Sequence, residues 1–166
     1  MYDVMLIDDD LTVRQRLRAM IDWKALGLRI VCEAADSDSA MELYLLHRPK
    51  IIITDICIPI ISGLELADTI AALDPDVRFI VITGYTDFEY AKQAISCGVF
   101  SYLVKPITIT TLTDVMAKVY VALNKQHIKN PFKDDHLHTT IRQCFIDIVE
   151  GNDTNNQNPL QVLNGL

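Results

Sequence analysis

The chain has 166 residues and a formal net charge of −7, with 50% hydrophobic and 22% charged residues. That balance is ordinary for a globular protein, and an acidic chain is poorly suited to gripping DNA or RNA by itself. No apolar run reaches the length of a membrane span, and Met1–Ile7 carries Asp3 and no basic residue, unlike a signal peptide. We therefore expect one domain plus a tail, with no membrane partner.

The cysteines indicate a reducing compartment. No CxxC pair is present, and the four cysteines lie mostly in apolar surroundings, at Cys32, Cys57, Cys97 and Cys144. This spacing favours neither a zinc site nor a disulfide framework. We expect reduced thiols in a cytoplasmic protein.

Five short apolar runs predict strands, and helix-forming segments separate them. In chain order the runs are Tyr2–Ile7, Leu28–Cys32, Ile51–Thr54, Val77–Ile82 and Val99–Val104. Helix-start signals are found at Asp36, at Ser62 with Glu65, at Thr86 with Glu89, and at Thr111 with Asp114. Gly98 suits the left-handed end of the fourth helix. One face of the fifth helix is formed by Leu112, Val115, Val119 and Leu123.

The third run, Ile51–Thr54, opens with three β-branched apolar residues, as expected for a strand buried on both faces of a parallel sheet. Parallel strands need right-handed crossover helices, which cover both faces of such a sheet. The sequence therefore predicts an α/β fold over residues 1–126, a doubly wound, flavodoxin-like sheet with strand order 2-1-3-4-5. Residues 127–166 are expected to form a helical extension, with a helix near 137–148, and a polar linker.

Polar residues follow four of the predicted strands. Asp8 and Asp9 come after the first strand, Asp55 after the third, Thr83 after the fourth and Lys105 after the fifth. Because the carboxyl ends of parallel strands share one edge, and strands 1 and 3 are neighbours, we expect three carboxylates to converge. A divalent cation relieves the repulsion among them, and all-oxygen ligands favour Mg²⁺. Carboxylate, metal, lysine and hydroxyl together predict phosphoryl transfer onto Asp55.

These residues resemble the receiver domain of two-component response regulators over about residues 2–124. The resemblance is carried by Asp8-Asp9, by Asp55 with Pro59 and Gly63, and by Thr83-Gly84, Tyr102 and Lys105-Pro106. It implies a domain that is not an enzyme but accepts a phosphoryl group from a sensor histidine kinase.

The resemblance also implies a role for each site residue. Asp9, Asp55 and the backbone carbonyl of Cys57 would coordinate Mg²⁺, with Asp8 acting through water. Thr83 and Lys105 would hold the phosphoryl oxygens.

Further implications of the resemblance concern the surroundings of the site and the switch. Gly84 would leave room for the phosphoryl group, and a cis peptide bond would precede Pro106. On phosphorylation, Thr83 would be drawn inward and Tyr102 would move, favouring a homodimer. The dimer face would lie on the fourth helix, fifth strand and fifth helix, with Ala91, Ala94, Ile95 and Tyr102.

A narrower match points to receivers attached to AraC-type DNA-binding domains. It rests on Ile21-Asp22-Trp23 with Leu26-Gly27 and on the run from Gly84 to Ala91. Such an output domain is absent from these 166 residues. We therefore expect a piece of a longer transcription regulator, which would bind DNA only through that missing domain.

Two other classes compete with this interpretation. Asp8, Asp10 and Thr12 resemble the nucleophile motif of haloacid-dehalogenase-like phosphatases, with Asp8 as the nucleophile. That family gives no role to Asp55, and no acidic pair follows a strand after Lys105. The other class is an interaction module that is never phosphorylated.

Overall fold

A computed structural model describes residues 1–84 and 88–129, with side chains over 1–84 and 90–125. The strands are β1 Tyr2–Ile7, β2 Leu28–Ala34, β3 Ile51–Thr54, β4 Arg78–Thr83 and β5 Ser101–Val104. The helices are α1 Leu11–Met20, α2 Ser37–His47, α3 Gly63–Leu73, α4 Phe88–Ser96 and α5 Ile109–Lys129. Strands and helices thus alternate along the chain.

The five strands form one parallel sheet in the order β2-β1-β3-β4-β5. The predicted fold class and strand order are therefore confirmed. All four residues of β3 are buried because the strand lies at the centre of the sheet with helices on both faces. Burial on both faces thus explains why β3 is a continuous apolar run and does not alternate between apolar and polar residues.

Two apolar layers cover the faces of the sheet. On one face, α1 and α5 pack against Leu6 and Ile53, and the predicted stripe of α5 is buried there. On the other, Tyr44 of α2 and Ile70 of α3 pack against Ile52. Helices therefore cover both faces of the sheet, as expected for a doubly wound fold.

Helix caps follow the predicted chemistry at two of the described helices. The Asp36 carboxylate accepts a hydrogen bond from the Ser39 N–H at the start of α2. Ser62 and Glu65 form both halves of a capping box at α3. The box predicted at Thr86 and Glu89 lies outside the residues whose side chains are described.

The start of α5 corrects a prediction. The helix begins at Ile109, and the Thr108 hydroxyl accepts the N–H of Thr111 at 3.1 Å. Thr111 therefore lies within the first turn rather than at its cap, because Thr108 already supplies the oxygen that the turn needs.

The strand bounds also differ from the predicted ones. β2 extends to Ala34, and β4 is shifted by one residue, to Arg78–Thr83. β5 starts at Ser101 because Gly98 has a φ of 67° and the Val99 N–H donates to the Ala94 carbonyl. Val99 therefore belongs to the turn that follows α4 rather than to the strand.

Residues Met1–Lys129 form one compact unit. The division into a domain over 1–126 and an extension over 127–166 stays a prediction, and the helix expected near 137–148 lies outside the described residues. Within the described part of the chain, no helix combines the length and hydrophobicity that crossing a membrane requires.

Candidate functional site

Three of the predicted site residues meet at the carboxyl edge of the sheet. The Lys105 ammonium, Nζ, lies 2.6 Å from Asp55 Oδ2 and 3.1 Å from Asp8 Oδ2. Asp8 follows β1, Asp55 follows β3 and Lys105 follows β5, so their approach results from the sheet topology. Lys105 is also held by its own N–H, which donates to the Thr83 carbonyl at 2.8 Å.

Burial makes this cluster electrostatically costly. Asp8 is 3% exposed, and its pKa is raised, above all by burial, although the Asp10 N–H and Lys105 act in the opposite direction. Burial alone would lower the pKa of Lys105, but the hydrogen bond and charge of Asp55, followed by those of Asp8, raise it. The ammonium therefore stays charged and acts as the cation between two carboxylates.

Hydrogen bonds fix both the carboxylate and the main chain of Asp55. The Cys57 N–H donates to Asp55 Oδ1 at 3.1 Å, while Lys105 binds Oδ2. The Asp55 N–H donates to the Ile7 carbonyl at 3.0 Å, and the Thr54 hydroxyl donates to the Asp55 carbonyl at 2.8 Å. Sequence reasoning missed the Cys57 amide. An acid followed by a loop often accepts the N–H two residues on, which is the signal that could have found it.

Gly63 allows α3 to start against the strand end. A Cβ at this position would lie 2.0 Å from the Asp55 carbonyl oxygen and 2.8 Å from Thr54 Oγ1. The Gly63 N–H donates to the Ile56 carbonyl at 2.9 Å, which closes the loop after Asp55. The glycine is therefore required by close backbone approach.

The three acids after β1 divide their roles. Asp8 is buried, and its Oδ1 accepts the Asp10 N–H at 3.0 Å. Asp10 caps α1 by accepting the Thr12 N–H at 2.7 Å, and this hydrogen bond lowers the pKa of Asp10. Asp9 is exposed. Only one member of the triplet is thus used to cap the helix.

Arg14 supports the Asp8 main chain and was not predicted. Its Nη1 donates to the Asp8 carbonyl, and its Nε lies 3.3 Å from Glu33 Oε2. Arg18 forms a second ion pair with Glu33, at 2.6 Å. The basic residues of α1 thus brace the acidic loop against β2.

The donor set at this edge suits a hard cation. The Asp8 and Asp55 carboxylates supply oxygen atoms there. Burial, followed by the charges of Asp55 and Asp9, raises the pKa of the Cys57 thiol, so Asp9 also contributes negative charge to this edge. Within the described side chains, no three or more His, Cys, Asp or Glu groups form a metal-binding cluster. The structure thus brings two of the three expected carboxylates together around Lys105.

The remaining predicted residues lie at the neighbouring strands. Thr83 is the last residue of β4 and is fully buried. Tyr102 of β5 is half-buried and packs against a small apolar cluster that contains Ala94. Gly84 is exposed, and a Cβ there would meet no described atom within 4 Å. The cis bond before Pro106 is confirmed.

The predicted dimer face needs a correction at α4. Ala94 is 1% exposed and belongs to the core, whereas Ile95 is 81% exposed. Both are apolar and adjacent, so the sequence did not decide which one faces outward. Ala94 is therefore excluded from any surface contact.

The sequence matches the family model described as the response regulator receiver domain over residues 4–117. The chain belongs to the response regulator receiver family. This match favours the receiver over the phosphatase alternative.

Relatives of known sequence support the same assignment. The receiver is 34% identical over 128 residues to the transcriptional regulatory protein YesN of Bacillus subtilis, covering 77% of this chain and 35% of that protein. It is 33% identical over 130 residues to the transcriptional regulatory protein HptR of Staphylococcus aureus, covering 78% and 51%. The chain therefore spans between a third and a little over half of the curated relatives it matches.

Solved structures show similar receivers. The receiver domain of AraT, a response regulator of Geobacillus stearothermophilus, has a TM-score of 0.72 and 37% identity, with 76% of this chain and 98% of that one covered. A two-component transcriptional regulator AraC of Clostridium phytofermentans has a TM-score of 0.70 and 33% identity, with 75% and 97% covered.

Proposed function

We propose that Asp55 accepts a phosphoryl group from a sensor histidine kinase in a reaction that depends on Mg²⁺. The observation that carries this proposal is the Lys105 ammonium between the Asp8 and Asp55 carboxylates at the open edge of the sheet. An ammonium in that position can neutralise charge on the phosphoryl oxygens as they arrive. The domain is then an acceptor in a relay rather than an enzyme that turns over a substrate.

The chemical step is a displacement at phosphorus. One Asp55 carboxylate oxygen attacks, an O–P bond forms, and the bond from phosphorus to the donor breaks with its electron pair leaving on the donor. The Cys57 N–H and Lys105 hold the two carboxylate oxygens, which restricts the rotation of the nucleophile before attack. The Thr83 hydroxyl would donate a hydrogen bond to one phosphoryl oxygen, and Lys105 would bind another.

Asp9, Asp55 and the Cys57 carbonyl would hold Mg²⁺ directly, and Asp8 through water. When bound, the cation supplies further neutralisation of the transferred group's negative charge. Asp8 supports this ligand set by its position, because its carboxylate lies at the same Lys105 ammonium as Asp55 and adds a second negative charge there.

We further propose that phosphorylation switches an output. Thr83 and Tyr102 would move together, and apolar side chains exposed on α4, β5 and α5 would join two copies as a homodimer; they include Ile95, Val104, Ile109 and Val121. The relatives named as transcriptional regulatory proteins support transcription as the process that the output controls. The similar structure described as a two-component transcriptional regulator AraC supports an AraC-type DNA-binding domain as that output. A cytoplasmic location fits the free thiols at Cys32, Cys57 and Cys97.

Radiolabelled acetyl phosphate tests the acceptor role. With Mg²⁺, wild type should gain stable label, and Asp55→Asn should gain none. Multiple turnovers that disappear in Asp8→Asn would instead support the phosphatase. No label in wild type would refute the acceptor role and favour an interaction module that is never phosphorylated.

A further inference from the structure

The segment that follows the acceptor, residues 55–62, is here called the acceptor loop. Its first part is fastened to the sheet edge by the Cys57 N–H on Asp55 and by the Gly63 N–H on the Ile56 carbonyl. Ile58 is 8% exposed and packs in the apolar layer under α2 and α3. Cys57 therefore lies between two fixed points.

The second part of the acceptor loop is fastened by one residue of another helix. Ser37, the first residue of α2, is 2% exposed. Its N–H and its hydroxyl both donate to the Pro59 carbonyl, at 3.4 and 3.2 Å. The Ile61 N–H donates to Ser37 Oγ at 3.2 Å. The hydroxyl thus joins the residues on either side of Ile60.

Ile60 shows that this part of the loop is held in an unfavourable conformation. Its φ is 80°, in a region that β-branched residues rarely adopt. Its side chain is 67% exposed, so burial does not compensate for the backbone. Such conformations persist when the surroundings over-determine them, and here the flanking groups are both bonded to Ser37.

We propose that Ser37 is a positioning residue for phosphoryl acceptance. It does not touch Asp55. By fixing Pro59 and Ile61 it holds Cys57 so that the N–H reaches Asp55 and the carbonyl stays available to the cation. The inference rests on the proposed function, because it assigns to Ser37 the geometry of that same site.

The test compares Ser37→Ala with Ser39→Ala and Ser37→Thr. Ser39 is the matched control because it lies in the same helical turn and its hydroxyl donates to the Asp36 carbonyl, not to the acceptor loop. The Kd for Mn²⁺, standing in for Mg²⁺, is measured by the loss of the free-ion EPR signal. The rate of labelling by acetyl phosphate is measured in parallel, and circular dichroism checks the fold.

Losing a group that is hydrogen-bonded directly to a metal ligand typically weakens metal binding by roughly 10- to 100-fold. Ser37 bonds Pro59 and Ile61 rather than a ligand, so its effect should be smaller. We expect the Kd of Ser37→Ala to rise by more than about twofold and its labelling to slow, with Ser39→Ala unchanged and Ser37→Thr close to wild type. A Kd and rate of Ser37→Ala within about twofold of wild type overturn the inference. An equal change in Ser39→Ala also overturns it, because α2 as a whole would then be responsible.

Two results separate the inference from its premise. A wild type that neither binds Mn²⁺ nor takes up label refutes the proposed function itself. A wild type that does both, together with a Ser37→Ala variant that behaves like it, refutes only the role of Ser37. If Ser37→Ala does not fold, amide hydrogen exchange of wild type decides. The Ile61 amide should be protected through its bond to buried Ser37. Fast exchange of that amide would contradict the proposed positioning of the acceptor loop by Ser37.

Discussion

Gly63→Ala offers a sharp test of how the acceptor is built. The added Cβ would stand 2.0 Å from the Asp55 carbonyl oxygen, far inside contact distance, and 2.8 Å from Thr54 Oγ1. Both neighbours belong to the end of the central strand and Thr54 is fully buried, so no flexible side chain can yield. Either the end of β3 or the start of α3 must move.

The cost can be assembled from two terms. Overpacking a buried site typically costs about 1–3 kcal/mol. A backbone shift also weakens the Gly63 N–H bond to the Ile56 carbonyl, and one hydrogen bond contributes about 1 kcal/mol. We therefore expect Gly63→Ala to lower the free energy of unfolding by about 2–4 kcal/mol, a large share of a typical domain's stability. Displacing Asp55 should slow its phosphorylation as well.

Urea unfolding followed by circular dichroism measures the change, with Gly84→Ala as the matched control. A Cβ at Gly84 would meet no described atom within 4 Å, so that variant should stay within about 0.5 kcal/mol of wild type. A loss below about 1 kcal/mol in Gly63→Ala, or an equal loss in both variants, would refute the close-approach argument.

Three further predictions concern charge and switching. Mg²⁺ at a hundredfold excess over its Kd should stabilise wild type by about 2.7 kcal/mol in thermal melts, and an equal gain in Asp9→Ala would count against the ligand set. Without metal, Asp8→Asn should be more stable than wild type at neutral pH, because burial raises the Asp8 pKa and ionisation then favours the unfolded chain. That gain should shrink as the pH falls through the folded-state pKa towards the ordinary value for aspartate; a gain independent of pH contradicts it. Beryllofluoride, standing in for the phosphoryl group, should shift wild type but not Thr83→Ala towards a dimer in analytical ultracentrifugation, with a coupling on the order of 1–3 kcal/mol; an unmoved wild type refutes the switch.

The sequence was informative where topology alone decides. Asp8 and Lys105 are 97 positions apart, yet their contact follows from strand order and from the rule that parallel strands end at one edge. The apolar stripe of α5 was predictable for a similar reason, because helical periodicity identifies its buried face. Contacts that follow from regular strands and helices can therefore be predicted from the sequence pattern, even between distant residues.

Side-chain contacts in the irregular segments could not be predicted in this way. The division of labour among Asp8, Asp9 and Asp10 depends on the direction of each side chain in a short turn, and three identical residues give no pattern to read. Ser37 marks a helix start in the sequence, but its partners lie in a loop without periodicity.

Packing settled the remaining ambiguity. Ala94 and Ile95 are both apolar neighbours in α4, and contact with the sheet buries the smaller one.

The central claim is that Asp55, and not Asp8, receives the phosphoryl group. Borohydride reduction marks the site, because it converts an aspartyl phosphate to homoserine that peptide mass spectrometry can locate. After incubation with acetyl phosphate and Mg²⁺, homoserine should replace Asp55 alone and should not form when Mg²⁺ is chelated. Homoserine in place of Asp8, or labelled protein with Asp55 unchanged, would contradict the account.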